Sequence, residues 1–184
     1  MMDFWKELRL GHLKSVEDIL ECDNFEKEQE IFLEQGVYPR VTPLGFILLE
    51  DVGFELTSND VIRIAEKTDL SKKDLGGNTY LDLALFAANY AIVSIPYVDA
   101  QLIYFLSDRV DVTKKTINDL LRYQEKFSKT KDVLGSHEIY HILNKVSFDV
   151  TKKEDKETIM RLCFLSPKYH LFSDMYDFFW KKWF

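Results

Sequence analysis

One run in the chain has residue types at a spacing that could do chemistry: His137-Glu138-Ile139-Tyr140-His141. On a helix, residues four apart share a face, so the two imidazoles could hold one zinc ion. Glu138 would then act as general base on the metal-bound water. Apolar residues flank the run, Val133-Leu134 before it and Ile142-Leu143 after it. The other reactive side chains stand apart. Cys22 and Cys163 are 141 residues from each other and neither belongs to a Cys-x-x-Cys, so both read as buried small residues. His12 follows Gly11 at the join of two helical runs and reads as a turn cap. Gly76-Gly77 precedes a helix without the lysine of a phosphate loop, and a β-turn fits it better. No Gly-x-Ser-x-Gly occurs.

The His-Glu-x-x-His run resembles the zinc metallopeptidases over about a dozen residues. That resemblance implies a third protein ligand. The extended form of the motif has His where this chain has Ser147, and no spacing singles out Glu154, Glu157 or His170. Upstream, Thr116–Lys129 reads as helix, where such peptidases supply a strand for the substrate. The favoured reading is therefore no metal, no cofactor and no enzyme, with His137 and His141 on a helix surface; a zinc peptidase built on His137, Glu138 and His141 is the alternative.

The elements that would position these residues are helical. The chain has 184 residues, 46% of them apolar and 14% aromatic, which is ample for a core. Its longest apolar stretches, Leu81–Ala88 and Ala91–Tyr97, are too short for a membrane span. The first residues lack the pattern of a signal peptide, and two cysteines imply no disulfide framework, so a cytoplasmic location is expected. A net charge of −7 disfavours nucleic acid and anionic membrane as partners and favours a basic protein.

Two patterns recur. Asp69-Leu70-Ser71-Lys72-Lys73, Asp111-Val112-Thr113-Lys114-Lys115 and Asp149-Val150-Thr151-Lys152-Lys153 are spaced by 42 and 38 residues. Thr42-Pro43-Leu44, Thr79-Tyr80-Leu81, Thr116-Ile117 and Thr158-Ile159 each open an apolar run, at spacings of 37, 37 and 42. Thr caps helices well, and Pro43 suits the first helical position. The unit reads as turn, helix, loop, helix and a short extended segment. The Lys-Lys pairs read as solvated ends of those segments. Phe4, Trp5, Leu8, Leu13, Val16, Ile19 and Leu20 give two further helices, Asp3–Leu10 and Leu13–Glu21, parted by Gly11-His12. No strand-rich segment is expected.

Thr42-Pro43-Leu44-Gly45-Phe46-Ile47 and Asp74-Leu75-Gly76-Gly77-Asn78-Thr79-Tyr80-Leu81-Asp82-Leu83-Ala84 resemble the ankyrin repeat, and Leu10-Gly11-His12-Leu13-Lys14-Ser15-Val16 resembles its helix–turn–helix join. Tyr80 stands in the usual Pro place and Asp82 in the usual His place, and the units are longer than the family's. The resemblance implies one all-α domain over residues 1–184, an α-solenoid of about four to five ankyrin-like helix-turn-helix repeats, which binds protein. The aromatic C-terminus, Tyr176 to Phe184, would cap the last repeat.

Function then follows from charge. Carboxylates crowd the first half, at Glu17, Asp18, Glu21, Asp23, Glu26, Glu28, Glu30, Glu34, Glu50, Asp51 and Glu55. A small acidic inhibitor is expected, such as the immunity protein of a nuclease toxin, that covers a basic active site and takes no small-molecule substrate. The contact residues expected are Glu26, Glu28, Glu34, Glu50, Asp51, Glu55 and Asp82. Short ankyrin arrays also serve as bacterial effectors and viral host-range proteins, a further alternative.

Overall fold

The structure, a computed structural model, describes residues 2–33, 36–90, 97–129, 133–149 and 151–165. Glu34, His170 and the aromatic stretch Tyr176 to Phe184 lie outside them. Among the described residues the chain is mainly helical, with two small sheets. In order these are β1 (Met2–Asp3), α1 (Phe4–Arg9), α2 (Val16–Leu20), β2 (Cys22–Asp23), β3 (Gln29–Leu33), β4 (Gly36–Val41), α3 (Pro43–Leu49), α4 (Ser58–Ala65), α5 (Tyr80–Tyr90), α6 (Ala100–Arg109), α7 (Lys114–Phe127), α8 (Ser136–Leu143) and α9 (Lys153–Phe164). They fall into two compact units, residues 1–110 and 111–184.

Threonine opens four helices, though not always the expected ones. Thr42 accepts the Gly45 N–H at 3.2 Å, with Pro43 at the first helical position. Thr79 and Asp82 cap α5 reciprocally: Asp82 N–H donates to Thr79 Oγ1, and Thr79 N–H donates to Asp82 Oδ2. Thr57 with Asp60, and Thr113 with Thr116, make the same box for α4 and α7. Thr116 is thus the third residue of its box, not the cap. Thr158 lies inside α9, because that helix already begins at Lys153.

The first unit is built around α3, whose every residue but Phe46 is buried. Phe4, Trp5 and Phe46 meet edge to face at centroid distances of 5.1–6.3 Å, which seats α1 on α3. The Trp5 indole N–H donates to Lys27 O. α3 packs against α4 and α5, α4 against α2 and α6, and α5 against α6. Gly45 allows part of this closeness: a Cβ there would lie 3.3 Å from Val41 Cβ and 3.5 Å from Leu83 Cδ1. Gly11, at φ 64°, parts α1 from α2 as expected, and the His12 ring sits 2.8 Å from Glu7 Oε2.

The expectation of no strands is corrected here. β3 and β4 form an antiparallel hairpin in the register Gln29↔Val41, Ile31↔Tyr38 and Leu33↔Gly36. Between the first two pairs one residue of β3, Glu30, faces two of β4, so β4 bulges. Pro39, which has no N–H to give a ladder, and Arg40, at φ 51°, lie in that bulge. A much smaller parallel sheet pairs β1 with β2.

In the second unit α9 packs on α7 and α8. Buried Ile117, Leu120, Tyr123, Leu134, Ile139, Ile142 and Leu162 form its core. Gln124, fully buried, ties the approach to α8: its Nε2 donates to Leu134 O at 3.0 Å, and its Oε1 accepts Leu134 N–H at 2.9 Å. The three Lys-Lys segments differ. Asp69 and Asp149 each accept the N–H and hydroxyl of the residue two places on, Ser71 and Thr151. Asp111 instead precedes the Thr113 cap, and Lys114-Lys115 are helical.

Substituting Gln124→Met keeps the volume but leaves both Leu134 backbone groups unpaired. Urea unfolding is expected to show a loss of about 2–4 kcal/mol.

Candidate functional site

The hairpin base, the start of α3 and the 69–80 loop border a shallow cleft, lined by Glu28, Arg40, Thr42, Lys72, Lys73, Asp74 and Tyr80 among others. Local sequence sets each wall. The Asp69–Ser71 turn aims Lys72 at Glu26, whose Oε2 lies 2.8 Å from Lys72 Nζ. Hydrogen bonding by Glu26 raises the Lys72 pKa. Glu26 also accepts the Asp69 N–H at 2.6 Å, which closes the loop onto the segment before β3. A β-turn follows, with the Gly77 N–H donating to Asp74 O and Gly77 at φ 76°. Asp74 receives both the backbone and side-chain N–H of Asn78, at 2.7 and 2.9 Å. Tyr80 Oη then lies 2.9 Å from Thr42 Oγ1, joining the starts of α3 and α5.

No His or Cys lines the cleft. Burial pushes the Tyr80 phenol up to about 12, with the Thr42 hydrogen bond opposing, so it stays protonated near neutrality. Lys72 is held charged by Glu26.

The expected contact residues scatter. Glu26 and Glu28 sit beside the cleft, at the start of α3. Glu50, Asp51 and Glu55 follow α3, and seven helical residues set about 10 Å between its ends. Asp51 accepts the Gly53 N–H, and the Glu50 carbonyl lies 3.1 Å from the Tyr97 hydroxyl. Asp82 is only 6% exposed, so it is corrected from a surface contact to the buried half of the α5 cap. Its burial follows from Thr79, which is buried beside it.

Five of the crowded carboxylates, Glu17, Asp18, Glu21, Asp23 and Glu30, fall outside the expected contact set. Glu21, Asp23 and Glu30 are exposed, and none of them has an ion pair among the described residues. Some other acids of this unit are matched: Asp3 with Lys27, Glu17 and Asp60 with Arg63, and Glu26 with Lys72. Strand alternation is the signal that finds Glu30, since it shares a face with Glu28 while Gln29 and Ile31 turn inward. The first unit holds twenty carboxylates against ten Lys and Arg, a formal charge of −10; the second unit has +3.

The chain matches no family model, no curated protein sequence and no solved structure. Function must therefore be argued from the residues.

The His-Glu-x-x-His run does fall on one helix, α8, with His137 exposed and His141 half-buried. Glu138 is the third residue of α8 and folds back over Gly135, where a Cβ would meet its Oε2 at 2.6 Å. This is the place from which an acid serves a helix N-terminus. Among the described residues no three His, Cys, Asp or Glu side chains are grouped to share an ion. Glu154 and Glu157 are on α9, both exposed. Cys22 is a free, buried thiol pushed up to about 11 by burial, the opposite of a reactive thiolate. Among the described residues no helix is long and apolar enough to cross a membrane.

Two outcomes follow. Metal analysis of the untagged, dialysed protein is expected to give well under one zinc per chain; a full equivalent lost in His137→Ala would establish a metal centre instead. Asp82→Ala strands the buried Thr79 N–H and is expected to cost about 1–3 kcal/mol by urea unfolding.

Proposed function

We propose that this chain is a non-enzymatic protein-binding module that docks on a basic protein and covers its working surface, as an immunity protein covers a nuclease toxin. One observation carries the reading: the first unit bears a formal charge of −10, with Glu21, Asp23, Glu28 and Glu30 exposed within ten residues. A nuclease must be basic to hold a polyanion. An acidic surface of this density offers it the charge pattern of its substrate and speeds encounter through long-range attraction. The cleft beside these acids adds polar contacts of both signs and no reactive group.

The helix order supports a finer proposal. α3 packs on α4 and on α5, α5 on α6, and α4 on α6. We read α3–α4 and α5–α6 as successive pairs of a short ankyrin-like stack, a scaffold on which loops and edges carry binding while the helices hold them apart.

The test is binding to any basic protein encoded beside this chain. Affinity is expected to fall about tenfold or more between about 50 and about 300 mM salt. The double reversal Glu21→Lys, Asp23→Lys should weaken it mainly through kon, with the melting temperature unchanged. The triple reversal at Glu50, Asp51 and Glu55 should have the smaller effect. Affinity indifferent to salt would sink the reading.

A further inference from the structure

Among the described residues the hairpin has no third strand. There β3 has β4 as its only strand neighbour, and β4 likewise has only β3, so each strand of the hairpin has one edge without a strand partner. The two strands are not equally fit to take a third. β4 is interrupted by its bulge, by Pro39 and by the left-handed Arg40, all of which spoil a ladder. β3 contains neither proline nor glycine. Along it Gln29 and Ile31 turn inward, and Ile31 is buried. Glu30 turns outward, in line with Glu28 just before the strand, and both are exposed. Glu28 feels Lys72 across the cleft. Neither carboxylate has an ion pair among the described residues.

We propose that the free edge of β3 accepts an extended, basic segment of the partner as a third strand. Backbone amides and carbonyls on the outer side of β3 supply the ladder, and alternate Lys or Arg residues of the added strand lie beside Glu28 and Glu30. Charge selects this occupant. A second copy of the chain, pairing β3 against β3, would set Glu28 and Glu30 against their own kind, which is unfavourable for strands side by side. The inference rests on the proposed function only in taking the partner to be basic.

The test uses the full chain and a ten-residue peptide of alternating Lys and Val as probe. Amide exchange is expected to slow within Gln29–Leu33 when the peptide binds. Affinity should drop about tenfold for the same peptide N-methylated on every residue, which has no amide N–H left to donate to a ladder, and by a similar factor for the Glu28→Lys, Glu30→Lys variant. Equal binding of the two peptides, slowed exchange confined to other segments, or no binding of either peptide would each overturn the proposal. The two readings fail separately. If the neighbouring basic protein binds with strong salt dependence while the peptides behave alike, the strand edge is wrong and the inhibitor reading stands. If the unmodified peptide alone protects β3 while the neighbouring protein does not bind, the edge stands and the inhibitor reading falls.

Discussion

The first unit depends on burying a helix too short to exist alone. α3 has seven residues, two turns, and an isolated helix of that length is unstable in water. Apolar side chains cover it on every side, and polar groups from elsewhere satisfy its ends. At the start, Thr42 closes the first turn and shares its hydroxyl with Tyr80. At the finish, the Tyr97 hydroxyl donates to Ile47 O at 2.5 Å, with Glu50 O 3.1 Å away. Burial holds that phenol far above its ordinary pKa, so it remains a donor. Because α3 spends both faces on neighbours, charge is excluded from it. The acids of this unit sit instead on the loops, the hairpin and the other helices.

That displacement explains what the sequence disclosed. The caps were legible because they are local: Thr42-Pro43 and Thr79 announce α3 and α5, and Gly11 announces the break before α2. The β-turn at Asp74–Gly77 was legible for the same reason. The hairpin was not. Its connecting residues, Glu34-Gln35, lack the glycine that marks a tight hairpin, and Pro39 argues against a strand. Only the bulge reconciles Pro39 with pairing, and a bulge leaves no local signature. The repeated Asp-β-branched-Thr/Ser-Lys-Lys pattern misled in another way. Asp69 and Asp149 use their carboxylates to make a turn, whereas at Asp111 the work passes to Thr113 as a helix cap. Like residues at like spacing took different tasks because the next helix begins at a different distance.

The candidate site was half visible for a related reason. Composition shows that the first half is acidic. It cannot show which acids are spent inside the protein. Asp82 caps a helix, Glu26 closes a loop, and Glu17 and Asp60 share Arg63. Exposed pairs of this kind contribute little to stability, yet they cancel the local field that a partner would sense. Among the carboxylates left over, Glu21, Asp23, Glu28 and Glu30 crowd into one ten-residue stretch, while exposed Glu55 and Glu66 stand apart from it in sequence. The same distinction applies to Glu138. Read as a letter in a motif it is a general base; placed at the third residue of α8 and folded over Gly135, it is an acid at a helix N-terminus.

An acidic row beside an open strand can be read as protection or as recognition, and the two are not rivals. Charges on an edge strand discourage indiscriminate pairing because any added strand must bring its own side chains alongside them. What repels a neutral or acidic strand attracts a basic one, so a guard against self-association is also a filter for the partner's sign. The hairpin uses two unlike devices on its two strands. β4 is closed by backbone geometry, through Pro39 and the bulge at Arg40, and this closure holds against every comer. β3 is closed only by charge, through Glu30 and its neighbour Glu28, and such a barrier depends on the charge of whatever approaches. A chain that needed only protection could have used geometry on both.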